Sequence, residues 1–146
     1  MRLEHVNLTV SNLDRSIDFY CRLLGLRVRW RGTLSSGLAG AHVGDDDMYI
    51  ALFQSREPGA VSSDYDGVGL NHFGFVVDDL ADCKGRLIEM GAPPHSEQDY
   101  DPGRRLYVMD PDGIELELVE YDSAEVNCVR KTVAPNAPTP TRRARG

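Results

Sequence analysis

The chain has 146 residues, a formal net charge of −7 and 27% charged residues, which is the profile of one ordinary globular domain with a real core. No apolar run approaches the ~20 residues of a membrane span, no basic-then-apolar leader marks export, and the acidic balance disfavours nucleic acid as a partner. Cys21, Cys83 and Cys128 are odd in number and lie at no metal-ligand spacing, which argues for a reducing, cytoplasmic setting rather than a disulfide framework.

Leu3 to Val10 alternates: Val6, Leu8 and Val10 point one way, and His5, Asn7 and Thr9 the other. Ser11-Asn12 offers an N-cap, Leu13 to Leu24 repeats apolar residues at helical spacing, and Gly25 is the expected stop. Strand-like runs follow at Leu26 to Arg31, Ala39 to Val43 and Met48 to Gln54, separated by turns at Gly32 to Gly37 and Gly44 to Asp47. Asp45-Asp46-Asp47 reads as a solvated acidic turn rather than a metal cluster. Residues 55–69 hold Pro58, Gly59, Gly67 and Gly69 and read as a linker.

The pattern then restarts. Leu70 to Val77 alternates, Asp78-Asp79 precedes a second helix from Leu80 to Met90, and Gly91 stops it. Loop and strand follow to Gly103, then a strand from Arg104 to Met109. Asp110-Pro111-Asp112-Gly113 is a tight-turn signal, after which Ile114, Leu116 and Leu118 share one face of a strand and Glu115, Glu117 and Val119 the other. His72 follows His5 by 67 positions, as Leu80 follows Leu13. This is an internal repeat: module one at 1–54, a linker at 55–69 and module two at 70–122, forming one domain at 1–122. From Arg130 onward there are five basic residues and no acidic one, and residues 123–146 read as a basic, Pro-rich tail.

His5 and His72 occupy equivalent places on equivalent strands, each away from the aliphatic row, and Glu117 lies on the same kind of face in the last strand. Two imidazoles and a carboxylate facing a shared cavity, with positions left open, suit a divalent metal; such donors accept Fe, Mn, Zn, Ni or Co.

The repeat, the L-L-G-L helix ending at Leu23 to Leu26, the N-H-F-G-F-V-V-D-D-L segment at Asn71 to Leu80 and the D-P-D-G-x-x-x-E run from Asp110 to Glu117 resemble the vicinal oxygen chelate superfamily. That group includes glyoxalase I, methylmalonyl-CoA epimerase, fosfomycin-resistance thiol transferases, extradiol dioxygenases and the metal-free bleomycin-binding proteins. The resemblance implies an α+β fold of two βαβββ modules, a cup-shaped mixed sheet with helices on its outer face, and His5, His72 and Glu117 as metal ligands. It implies a homodimer, a small-molecule substrate chelated through two oxygens, and Tyr107 as an active-site residue. The fourth ligand position falls on Ala51, which disfavours the glyoxalase I and epimerase activities; Gln54 is near but has the wrong strand parity. Glu97, Asp101 and Asn7 stand where the fosfomycin enzymes hold phosphonate. His95 lies a few residues from the acid/base histidine of the extradiol enzymes and reads as a solvated loop residue, His42 as structural, and Glu115 as either a second-layer or a solvated carboxylate. The expected function is a metal-dependent lyase, isomerase, transferase or extradiol-type dioxygenase; the alternative is a non-catalytic drug-binding protein of the bleomycin-resistance type.

Overall fold

The computed structural model describes residues 2–57, 59, 61 and 65–122; the tail expected at 123–146 lies outside them. The elements run β1 (His5–Val10), α1 (Leu13–Leu24), β2 (Arg27–Thr33), β3 (Ala39–Gly44), β4 (Tyr49–Gln54), β5 (His72–Val76), α2 (Leu80–Glu89), β6 (Ser96–Tyr100), β7 (Gly103–Met109) and β8 (Glu115–Tyr121). They build two four-stranded mixed sheets, ordered β1-β4-β3-β2 and β5-β8-β7-β6. Each sheet has one parallel pair, β1 with β4 and β5 with β8, and the other pairs are antiparallel. The α+β fold of repeated βαβββ units is therefore present.

Both helices start as the sequence dictates. The Asn12 side chain accepts from the Arg15 amide at 3.0 Å, and the Asp79 side chain from the Asp82 amide at 2.8 Å, which satisfies amide groups that no helical turn reaches. Gly25 ends α1 at φ 66°, a left-handed conformation that a Cβ would oppose. Gln54 serves the same junction: its Oε1 accepts from the Leu13 amide at 2.7 Å.

Leu8, Val10, Ala41, Val43, Ile50 and Leu52 form the buried face of the first sheet under Leu13, Phe19, Tyr20 and Leu23 of α1. Leu106, Val108, Leu116 and Leu118 do the same under Leu80, Cys83 and Leu87 of α2. All belong to one apolar cluster, so neither half encloses a core by itself. Polar ties cross the junction. The Tyr20 hydroxyl donates to the buried Asp110 carboxylate at 2.8 Å, and the Ser11 amide and Arg15 guanidinium donate to Asp112 at 3.1 and 3.0 Å. Arg86 donates to the Leu23 carbonyl at 2.8 Å, near the end of α1. Asp110 also accepts from the Asp112 and Ile114 amides at 2.8 Å each, so the Asp110–Gly113 turn both launches β8 and grips α1.

One boundary differs from expectation. β2 runs on through Gly32 and Thr33, because Gly32 pairs with Gly40 and Thr33 with Ala39; ladder pairing overrides the turn preference of glycine. β6 carries the sequence S-E-Q-D-Y with little burial, so it shows no apolar alternation and exists by pairing with β7. No helix of the described residues is long and apolar enough to cross a membrane.

Candidate functional site

On each sheet the face turned away from its helix carries the unusual side chains. In the second sheet, β8 places Glu115 opposite His72 and Glu117 opposite Gly74, while β7 places Tyr107 opposite Glu117. The His72 Nε2 comes within 3.2 Å of Glu117 Oε2. The other Glu117 oxygen meets the Arg105 Nε at 3.2 Å. Arg105 is itself buried, donates to the Gly103 carbonyl at 2.9 Å and lies over the Tyr100 ring at 4.2 Å. Tyr107 stands edge-on to His72 with ring centroids 5.7 Å apart. Burial, then the charge of Glu117 and a hydrogen bond to it, push the Tyr107 hydroxyl above its ordinary pKa, so this phenol holds its proton at neutral pH.

Glu115 is buried at 5% exposure. One of its oxygens accepts from the Tyr65 hydroxyl in a short hydrogen bond, and the other lies 3.0 Å from His95 Nε2. The Tyr65 oxygen is also 3.0 Å from His72 Nδ1. The Tyr65 pKa is pushed up to about 12, first by its hydrogen bond to Glu115. Sequence reasoning missed Tyr65, since a tyrosine in a Gly-rich linker carries no periodic signal. His95 lies in the loop before β6 with its side chain 42% exposed, the solvated loop position expected for it. In the structure the His95 amide donates to the Tyr107 carbonyl at 3.0 Å, stitching that loop onto β7 and turning the imidazole toward Glu115.

His5 is elsewhere. It stacks on Tyr49 of β4, with centroids 4.9 Å apart, and its Nδ1 is 2.8 Å from Glu4. Tyr49 in turn meets His42 at 4.5 Å, and His42 meets Trp30 at 5.0 Å. A continuous row of rings thus crosses the first sheet from β1 to β2, with the Arg29 guanidinium 5.1 Å over Tyr49. His42 belongs to this row, and its pKa is lowered by partial burial and by the positive charge of Arg29. Ala51, in register with Asn7 and His42, offers no donor. Asp45 spends its carboxylate on the Asp47 and Met48 amides at 2.8 and 2.9 Å, while Asp46 and Asp47 pair with Arg27 and Arg2; that turn is structural.

The chain therefore unites His72, Glu117 and Tyr107 and leaves His5 on the other sheet. Among the described residues no group of three or more His, Cys, Asp or Glu side chains is arranged to hold a metal. The His72–Glu117 pair suits a divalent cation chemically, an imidazole nitrogen beside a carboxylate oxygen, but it is two donors of the expected three.

Residues 2–118 match the model of the "Glyoxalase/Bleomycin resistance protein/Dioxygenase superfamily", and the chain belongs to this family. It is 33% identical over 119 residues to catechol-2,3-dioxygenase of Bacillus subtilis (strain 168), covering 78% of this chain and 39% of that protein. It is 32% identical over 123 residues to glutathione transferase FosA of Serratia marcescens, covering 80% and 78%. The chain also spans 35% of the length of an Arabidopsis thaliana relative described as "Probable lactoylglutathione lyase, chloroplastic", so it covers well under half of two of these three relatives. Among solved structures, a glyoxylase/bleomycin resistance protein/dioxygenase domain from Frankia sp. EAN1pec superposes with a TM-score of 0.72 at 28% identity, covering 86% of this chain and 95% of that one.

Proposed function

We propose that the protein is a divalent-metal-dependent enzyme acting on a small oxygen-rich molecule, with His72, Glu117 and His5 as the protein ligands. The observation that carries this reading is the approach of His72 Nε2 to Glu117 Oε2 at 3.2 Å beside a proton-holding Tyr107. Relatives named as a dioxygenase, a glutathione transferase and lactoylglutathione lyases support it at the level of the family. A divalent ion held by these residues would supply Lewis acidity to a bound oxygen-rich substrate. Glu117 is oriented by Arg105 at 3.2 Å, and Tyr107 donates a hydrogen bond to a substrate oxygen.

The third ligand is assigned to a second copy of the chain. β1 and β5 are outer strands, each hydrogen-bonded on one side. A cleft of about 720 Å³ beside them is lined by Val6, Leu26, Met48, Phe73 and Phe75, with exposed Leu3 at its rim. Open strand edges beside apolar surface favour pairing with another chain, and such pairing is the route by which His5 joins His72 and Glu117. The domain is assigned to residues 1–122 and the working compartment to the cytoplasm, in keeping with two unpaired cysteines, Cys21 and Cys83.

Elemental analysis of untagged protein tests the reading. Wild type is expected to carry near-stoichiometric metal, and His72→Ala to lose it. Iron would direct the reading to oxygenase chemistry, and Zn, Ni or Mn to isomerase, lyase or transferase chemistry. Absence of metal from both, even after reconstitution, would overturn it.

The ring row favours a second reading, a protein that sequesters a flat drug-like molecule without chemistry. Trp30 is the single tryptophan of the chain and is 37% exposed, so its fluorescence reports on that face. Under this reading planar aromatic compounds quench it saturably in metal-free protein, and Trp30→Leu lowers their affinity about tenfold, the size of one aromatic contact of ~1.4 kcal/mol. An isothermal titration showing equal affinity for both proteins would exclude the row as a binding surface.

A further inference from the structure

We propose that Arg29 sets the selectivity of the ring row on the first sheet, so that the ligand taken there is a planar aromatic molecule bearing a carboxylate. The proposal rests on the reading of the row as a binding surface and adds which flat molecules that surface selects.

The placement begins with a break in β2. Strict alternation would send Val28 and Trp30 to one face and Arg27, Arg29 and Arg31 to the other. The β2–β3 ladder instead pairs Val28 with Val43, then Trp30 with His42 and Arg31 with Ala41, so the register shifts at Arg29. A β-bulge of this kind inserts one residue and re-aims its neighbours. Trp30 leaves the face of Val28 and joins His42. Arg31 turns to the helix side, where it pairs with Asp14 of α1 at 2.7 Å. Arg29 comes to lie on the face of Trp30: its side chain crosses β3 and puts Cζ 5.1 Å over the Tyr49 ring of β4. Two glycines make room for the rings. A Cβ on Gly32 would stand 2.8 Å from Trp30 Cζ2, and one on the paired Gly40 would stand 2.9 Å from Phe53 Cδ1. With no Cβ at either place, both rings lie against the strand backbone.

Charge decides what this aromatic floor takes. Arg27 and Arg31, on the same strand, are held by Asp46 and Asp14. Arg29 contacts Tyr49 and, among the described residues, forms no ion pair. Glu4, the acidic group at the other end of the row, is spent on His5 Nδ1 at 2.8 Å. The row therefore carries one uncommitted cation, on a chain whose formal net charge is −7. A guanidinium presents a planar fork of donors that matches a carboxylate with two parallel hydrogen bonds, while the ring bearing that carboxylate gains contact with the row. A neutral flat molecule covers the guanidinium without pairing it, and a cationic one is repelled by it, so both are selected against.

Isothermal titration of the full-length protein with naphthoate and with naphthamide, its neutral isostere, tests the assignment. Wild type is expected to bind naphthoate about tenfold more tightly than naphthamide. Arg29→Gln is expected to bind both equally, at the wild-type naphthamide affinity. Arg29→Lys, which keeps the charge without the fork, is expected to fall between the two. Arg29 is exposed, so the thermal midpoints of both variants should match wild type and the loss is one of recognition. Equal affinity of wild type for the two compounds overturns the proposal and leaves the row standing as a neutral aromatic surface. A preference for naphthoate that persists in Arg29→Gln overturns the role of Arg29. Binding of neither compound overturns the ring-row reading itself, and the proposal falls with it.

Discussion

Chains carrying His5→Ala and chains carrying His72→Ala, each metal-free when purified alone, are expected to recover metal when co-expressed and isolated as mixed assemblies. If each site takes His5 from one copy and His72 with Glu117 from the other, a mixed pair has one intact site and one lacking both histidines. Elemental analysis of the mixed pair then gives about half the wild-type metal content. Sites built within single chains would remain broken in every combination, and the mixture would stay empty. The expectation follows from two placements. His72 meets Glu117 at 3.2 Å, whereas the contacts of His5 are to Glu4 and Tyr49, within its own half. A loss of one ligand from a three-ligand set is among the largest effects a single substitution can have on such a site, because binding free energy is concentrated in few bonds.

Arg105→Met is expected to destabilise the fold by about 3–5 kcal/mol, the usual consequence of stranding one member of a buried ion pair. The Arg105 and Glu117 side chains are only 9% and 16% exposed, so water cannot substitute for the missing guanidinium. The same residue donates to the Gly103 and Tyr100 carbonyls and lies near the Tyr121 ring as well as over Tyr100. Arg105→Lys is expected to recover only a minor part of the loss, since one ammonium cannot reproduce a planar fork with separated donors. Urea unfolding of the three proteins measures this directly. A double variant, Arg105→Met with Glu117→Gln, should be more stable than Arg105→Met, because it removes the stranded charge.

Much of this arrangement is legible in the sequence. The 67-residue spacing between His5 and His72 locates two equivalent strands, and strand parity puts both histidines and Glu117 on the faces away from the helices. The helix caps at Asn12 and Asp79 and the Asp110–Gly113 turn are local signals whose chemistry is the same in the structure. What pattern reading cannot supply is the third dimension. Parity says which face a side chain takes but not which sheet meets which, so the sequence leaves open whether the cavity is built within one chain or between two. Tyr65 and His95 reach Glu115 from segments without periodicity, and their arrival depends on loop paths set by hydrogen bonds such as that from the His95 amide to the Tyr107 carbonyl. The ring row of the first sheet was hidden because Trp30, His42 and Tyr49 lie on three different strands and become neighbours only through cross-strand register.

The grip of the Asp110–Gly113 turn on α1 bears on how the molecule melts. A tandem repeat invites the expectation of two independent transitions, one per half. Here Asp110 and Asp112 hold Tyr20, Ser11 and Arg15, and the apolar cluster runs across both helices, so opening either half uncovers the other. The repeat is then one cooperative unit, and the strand that carries Glu117 stays ordered for as long as the first helix does.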